Sequence, residues 1–319
     1  MWFTNTNLNL PAIVIQTVLL LVLAPLVTGC IRNWKARLQN RRGPRVVQPY
    51  FDLLKFLRKD MVISEHASWV FSAAPYVVFV TALLAGLLVP MVTIQAPLSL
   101  FGGVLAVVGL LALGRFFMAL GGLDPASAFG GMGSSREMTI AAIAEPALML
   151  AIFTVAITVG STDFSHMVAA EQQSGWDMLN PTHLMAFAAL FIVLLAETGR
   201  VPIDNPATHL ELTMIHEAML LEYSGRYLAL MEWGASIKQL VLMAILVNVF
   251  LPAGLAGDGS VVALGLGLAF FLGKIFLLSA AVVLVETVNA KLRLFRVPDL
   301  LSAAFVLAAM ALLSTFLFH

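Results

Sequence analysis

Residues 11–45 read PAIVIQTVLLLVLAPLVTGCIRNWKARLQNRRGPR. The first part is an apolar run of about 20 residues, the length that crosses the hydrocarbon core of a bilayer. The second part carries Arg32, Lys35, Arg37, Arg41, Arg42 and Arg45. Basic residues beside spans stay in the cytoplasm, so this stretch sets both a fold class and an orientation.

The pattern recurs along the chain. Arg115 and Arg136 are read around the third turnaround, Arg200, Arg226 and Lys238 around the fifth, and Lys291, Arg293 and Arg296 after the seventh apolar run. The connections near 90–98, 161–182 and 253–260 carry no Lys or Arg, and Lys274 is read as the one cation deep in a run. Apolar runs at 11–31, 69–93, 98–120, 138–160, 182–199, 236–256, 261–287 and 299–318 predict an all-α integral membrane protein. It has about eight transmembrane helices in a single helical domain over 1–319. Both termini are expected outside the plasma (inner) membrane, with the basic loops cytoplasmic. No basic residue precedes the first run, which is too long for a signal-peptide core, so it is expected to be retained.

Composition agrees. The chain is 60% hydrophobic and 11% charged, with a mean hydropathy of +0.94, whereas soluble domains carry about 25% charged residues. Net charge is zero, and nothing points to nucleic acid. Cys30 stands alone, so no internal disulfide and no four-thiolate iron–sulfur site can form. His216-Glu217 starts like a zinc-protease motif, but Leu220 stands where the second His belongs. Gly130-Gly131-Met132-Gly133 lacks the Lys of a phosphate cradle and is read as a tight interhelical turn. No metal site is predicted. Any redox chemistry belongs to partner chains.

After the Gly43-Pro44 break, Val47, Tyr50, Phe51, Leu54 and Leu57 recur at helical spacing, with Asp52, Lys55 and Lys59 opposite. That predicts an amphipathic helix lying on the membrane surface. The basic cluster before it either attracts anionic lipid or docks a peripheral partner.

The segment 197–238 is the chemical centre. Asn205 and Pro206 resemble a helix start, and a helix to about Tyr223 would align Asp204, Glu211 and Glu222 in one stripe, with His209 and His216 in another. A charged stripe is commonly a solvated face. Leu210, Leu212, Met214, Ile215, Met219, Leu220 and Leu221 make this one too apolar for free solution, which favours a cytoplasmic or re-entrant helix between spans five and six, lining a wet cavity. Glu145, Glu197 and Glu286 lie in or at the edge of spans, and Pro146 breaks the backbone ladder beside Glu145. Intramembrane acids usually mark proton or ion routes. The alternative is a structural ion pair, with Lys274 or Arg115 as partner.

Arg37-Leu38-Gln39-Asn40-Arg41-Arg42-Gly43-Pro44, Gly122-Leu123-Asp124-Pro125, Gly133-Ser134-Ser135-Arg136-Glu137, Ala144-Glu145-Pro146, Leu221-Glu222-Tyr223-Ser224-Gly225, and Trp233-Gly234 with Lys238-Gln239-Leu240 carry a family resemblance. They resemble the membrane subunit of formate hydrogenlyase and related energy-converting group 4 NiFe hydrogenases, homologous to complex I subunit 1. The resemblance runs from about residue 11 to the C-terminus. In complex I the motif after span five reads approximately Glu-x-Asn-Arg-x-Pro-Phe-Asp-Leu-x-Glu-x-Glu-x-Glu-Leu. This chain matches it at Glu197, Arg200, Pro202, Asp204, Glu211 and Leu212, and departs from it at Gly199, Ala207 and His209. Glu137, beside Arg136, fits the hydrogenase branch.

The resemblance implies a subunit without redox centres of its own. Its partners would be hydrogenase-like large and small subunits, a ferredoxin-like Fe–S subunit and antiporter-like membrane subunits. Fe–S clusters and a Ni–Fe site would reside in those partners. It further implies a proton relay through Glu145, Glu197, Asp204, Glu211 and Glu222, with Glu137, Glu286 and Lys274 as further members. Arg37, Arg41, Arg42, Arg45, Arg136 and Arg200 are expected at the docking face. The alternatives are a quinone-reducing complex I (NADH dehydrogenase) subunit, a stand-alone secondary transporter, and a purely structural anchor. Transporters often show inverted repeats, and no convincing repeat is visible in this sequence.

Overall fold

The computed structural model describes residues 10–174, 180–204, 214–257 and 260–318. Each predicted apolar run falls on a helix: α1 (Leu10–Leu38), α3 (Trp69–Leu88), α4 (Val104–Leu123), α5 (Ala128–Val159), α7 (Pro181–Glu197), α9 (Gly225–Phe250), α10 (Val261–Val288) and α11 (Val297–Phe318). Among the described residues, seven helices are long and apolar enough to cross a membrane, and α7 is shorter at 17 residues. The chain is therefore a multi-pass bundle. The shorter helices are α2 (Gln48–Arg58), α6 (Phe164–Ser174) and α8 (His216–Leu220).

Local chemistry sets the ends. Ser68, Ser127 and Ser260 accept backbone N–H bonds at the starts of α3, α5 and α10. Pro181 opens α7, and α5 stops at Gly160, whose φ of 73° suits glycine. α9 is the central helix, packed by α1, α2, α3, α6, α7 and α10, while α11 lies on α5 and α7.

At the end of the bundle opposite the basic segment 32–59, the irregular linker after α3 is largely shielded, and side chains from other helices satisfy its backbone. Gln16 donates to Gly86 O and Val89 O at 2.8 and 2.7 Å. Asn248 donates to Pro90 O and Met91 O at 2.8 and 3.1 Å. Lys274 in turn donates to Asn248 Oδ1 at 2.7 Å and to Leu251 O at 3.0 Å. Non-helical backbone beside a bilayer needs its polar groups satisfied in this way.

Several expectations need correction. α5 starts at Ala128, so Gly130-Gly131-Met132-Gly133 is its first turns and not an interhelical turn. Glycine is needed there for close approach: a Cβ on Gly130 would lie 2.0 Å from Gly122 O. At 1.5 Å per residue α5 is roughly 48 Å long, well beyond a core of about 30 Å. α9 starts at Gly225, which places Lys238 inside it. Arg115 lies within α4, buried, and not at a turnaround. The connection 161–181 holds α6. Residues 205–213, with Glu211 and His209, lie outside the described residues. What is described of the expected helix to Tyr223 is the short α8, and the chain has left the helix by Glu222.

Candidate functional site

The motifs noted in the sequence lock the basic end of the bundle. Asp124 accepts from Ser68 N and Oγ, both at 2.6 Å, and so ties the end of α4 to the start of α3. Tyr223 stacks on Phe71 with ring centroids 4.1 Å apart and donates to Phe71 O at 3.2 Å. Burial, with Asp124 nearby, pushes its hydroxyl up, so it remains a donor. Ser224 Oγ pairs with Val62 O and N at 3.1 and 2.9 Å. Asn33 donates to Pro44 O at 2.7 Å, and Val46 O approaches Gly29 so closely that a Cβ there would sit 1.9 Å away. These contacts brace the basic turn against α1. Arg37, Arg41, Arg42 and Arg45 project from it, exposed. The amphipathic helix expected after it is α2, with Phe51, Leu54 and Leu57 exposed.

Inside this scaffold lies a cluster of ion pairs. Arg115 of α4 is held by three carboxylates: Glu137 at 3.5 Å and Glu145, both on α5, and Glu197 at the end of α7. Lys238 of α9 reaches Glu197 Oε2 at 2.7 Å. Next to them, Arg200 donates to Glu286 Oε1 at 2.9 Å and to Gln239 Oε1 at 2.8 Å, and Lys35 of α1 meets Glu286 Oε2 at 2.8 Å. Asp204 accepts from the backbone N–H of Ile215 and His216 at 3.1 and 3.4 Å, and Lys291 lies 3.3 Å from its other oxygen. Five cations thus face five carboxylates: Arg115, Lys238, Arg200, Lys35 and Lys291 against Glu137, Glu145, Glu197, Glu286 and Asp204. The set is neutral, as burial requires. It borders a cavity of about 140 Å³ whose wall includes Lys35, Glu197, Arg200, Asp204, Lys238 and Glu286, together with Glu217, Glu232 and Arg32.

The sequence-predicted site residues therefore divide. Glu137, Glu145, Glu197, Asp204 and Glu286 are brought together. The partner of Glu145 is Arg115 and not Lys274, which is bonded to Asn248 and Leu251. Glu222 is exposed on a turn, apart from the buried Asp204. Arg200, expected at the docking face, is drawn into the cluster with its side chain 12% exposed, and Arg136 donates to Met214 O at 3.0 Å, which fixes the approach to α8. Lys35, Lys238 and Lys291 join the site without having been expected there. Their basic character is visible in the sequence, but their partners lie up to 251 positions away (286 minus 35). Among the described residues, no group of three or more His, Cys, Asp or Glu is placed to hold a metal.

A family model described as NADH dehydrogenase matches residues 10–317. The chain belongs to the NADH dehydrogenase family. Within it, the chain is similar to formate hydrogenlyase subunit 4 of Escherichia coli (strain K12), with 35% identity over 94% of this chain and 96% of that protein. Hydrogenase-4 component C of the same organism is also 35% identical, over 93% and 92%. An NADH-quinone oxidoreductase subunit of Syntrophotalea carbinolica is 33% identical over 77% and 79%. This NADH dehydrogenase family chain shares its fold with a chain of the membrane-bound sulfane sulfur reductase (MBS), an archaeal respiratory membrane complex. The TM-score is 0.81 at 22% identity, covering 95% of this chain and 99% of that one.

Proposed function

We propose that the chain is the membrane-anchoring and proton-relaying subunit of a hydrogenase-type, complex I-like redox complex. The observation that carries this is Arg115, buried among three carboxylates from two other helices, one of which, Glu197, lines the 140 Å³ cavity. Intramembrane ionisable groups are costly and usually mark ion or proton routes. Here each carboxylate faces a cation; a carboxylate that swings away from its cation can take a proton from water and release it again on re-pairing, and Glu197 Oε2, shared by Arg115 and Lys238, is the natural pivot. The relatives of highest identity quoted above are named for hydrogenase and formate hydrogenlyase complexes, which supports hydrogenase-like large and small subunits, a ferredoxin-like Fe–S subunit and antiporter-like subunits as partners. Electrons stay in that arm. The exposed Arg37, Arg41, Arg42 and Arg45 form its docking face. All eight long helices cross the plasma membrane, with α7 as a short span, basic loops in the cytoplasm and both termini outside.

The test is Glu145→Gln in the assembled complex. Gln keeps the size but carries no proton. Turnover of the arm with an artificial electron carrier is expected to persist, while gradient formation in vesicles falls. Undiminished gradient formation would assign Glu145 to structure alone.

A further inference from the structure

We propose that His216 passes protons between the main cavity and the Arg115 cluster, an inference that rests on the relay function above and adds a member to it. His216 opens α8 and is half-buried. It borders the 140 Å³ cavity together with Glu217 and Glu232. It also borders a space of about 10 Å³ shared with Glu137, Glu197 and Asp204, room for roughly one water. A third space of about 30 Å³ places it with Arg115, Lys238 and Thr81. Among the described residues lining these three spaces, His216 alone borders all of them.

Its backbone is anchored, since Asp204 accepts from its N–H at 3.4 Å and from that of Ile215 at 3.1 Å. Among the described residues, neither imidazole nitrogen has a hydrogen-bond partner. The ring is thus held at one end and left open to water at the other. The charged groups lining the same spaces are the acids Asp204, Glu137, Glu197, Glu217, Glu232 and Glu286 and the cations Arg32, Lys35, Arg115, Arg200 and Lys238. Arg and Lys hold their protons at neutral pH, and the clustered carboxylates are tied to them. Imidazole is the side chain that takes and gives a proton in that range. Water in the main cavity delivers a proton to one ring nitrogen, and the N–H of the other releases one to water beside Glu137 and Glu197. Ring rotation or tautomer exchange then restores the starting state, with no electrons moved and no net charge left on the ring.

The experiment compares His216→Gln, His216→Ala and Glu145→Gln in the assembled complex in inverted vesicles. Both His216 variants are expected to lower gradient formation about tenfold or more, with turnover on an artificial electron carrier retained. Added imidazole should restore gradient formation to His216→Ala, a rescue that a purely structural role would not give. Loss without imidazole rescue overturns the inference. So does full gradient formation by His216→Gln alongside loss in Glu145→Gln, and the relay function then survives. Full gradient formation by both His216→Gln and Glu145→Gln overturns the relay function itself.

Discussion

Lys238 Nζ lies 2.7 Å from Glu197 Oε2, the same oxygen that Arg115 holds, so one carboxylate oxygen joins α9, α7 and α4. The two cations are not equivalent. Arg115 serves three acids, whereas Lys238 pairs with one that already has a partner.

Arg115→Met should therefore be the more damaging change. It strands Glu137 and Glu145 as well as weakening Glu197, and breaking a buried pair costs about 3–5 kcal/mol. Lys238→Met leaves Glu197 paired and should cost well under that. Thermal unfolding of the purified subunit in detergent, with the amount of intact protein recovered from membranes, is the comparison. Equal losses would mean that Arg115 does not organise the cluster.

Gly121 should tolerate no side chain while Tyr223 keeps its hydroxyl. A Cβ there would lie 2.1 Å from that oxygen. Gly121→Ala should lose about 1–3 kcal/mol, the usual cost of overpacking, and Tyr223→Phe in the same chain should recover part of it. An unchanged melting temperature for Gly121→Ala would show that the contact between Gly121 and Tyr223 has slack.

The sides of the membrane can be read with single cysteines in a Cys30→Ser background. Gln39 and Gln173 are both exposed. An impermeant maleimide on intact cells should label Gln173→Cys and spare Gln39→Cys, because nine of the 18 Lys and Arg lie between residues 32 and 59 and none between 161 and 181. Labelling of Gln39→Cys alone would reverse the orientation.

The spans are legible because a bilayer imposes a simple demand: about 20 apolar residues in a row. Where helices run past the bilayer the demand lapses, and the pattern with it. The polar first turns of α5, with Ser134, Ser135 and Arg136, read as a loop although they are helical. Arg115 reads as a loop residue because it sits near the end of an apolar run; its three partners come from elsewhere in the chain, the farthest 82 positions away. Glu145 and Glu197 stand out as candidates because an acid in an apolar run is conspicuous. Their shared cation, and the place of Lys35 and Lys291 in the same assembly, depend on packing that no local pattern records.

Glu145 has one further property. Its side chain is 33% exposed, against 2–11% for the other four cluster carboxylates. It sits 14 residues, roughly 21 Å, from the end of α5 that lies beside the buried linkers. A carboxylate at that depth is costly to leave against hydrocarbon. The flank of α5 around Glu145 is therefore the open side of the cluster: in the proposed complex, an adjoining membrane subunit seated there would shield this carboxylate, and the cluster's charge would face that neighbour.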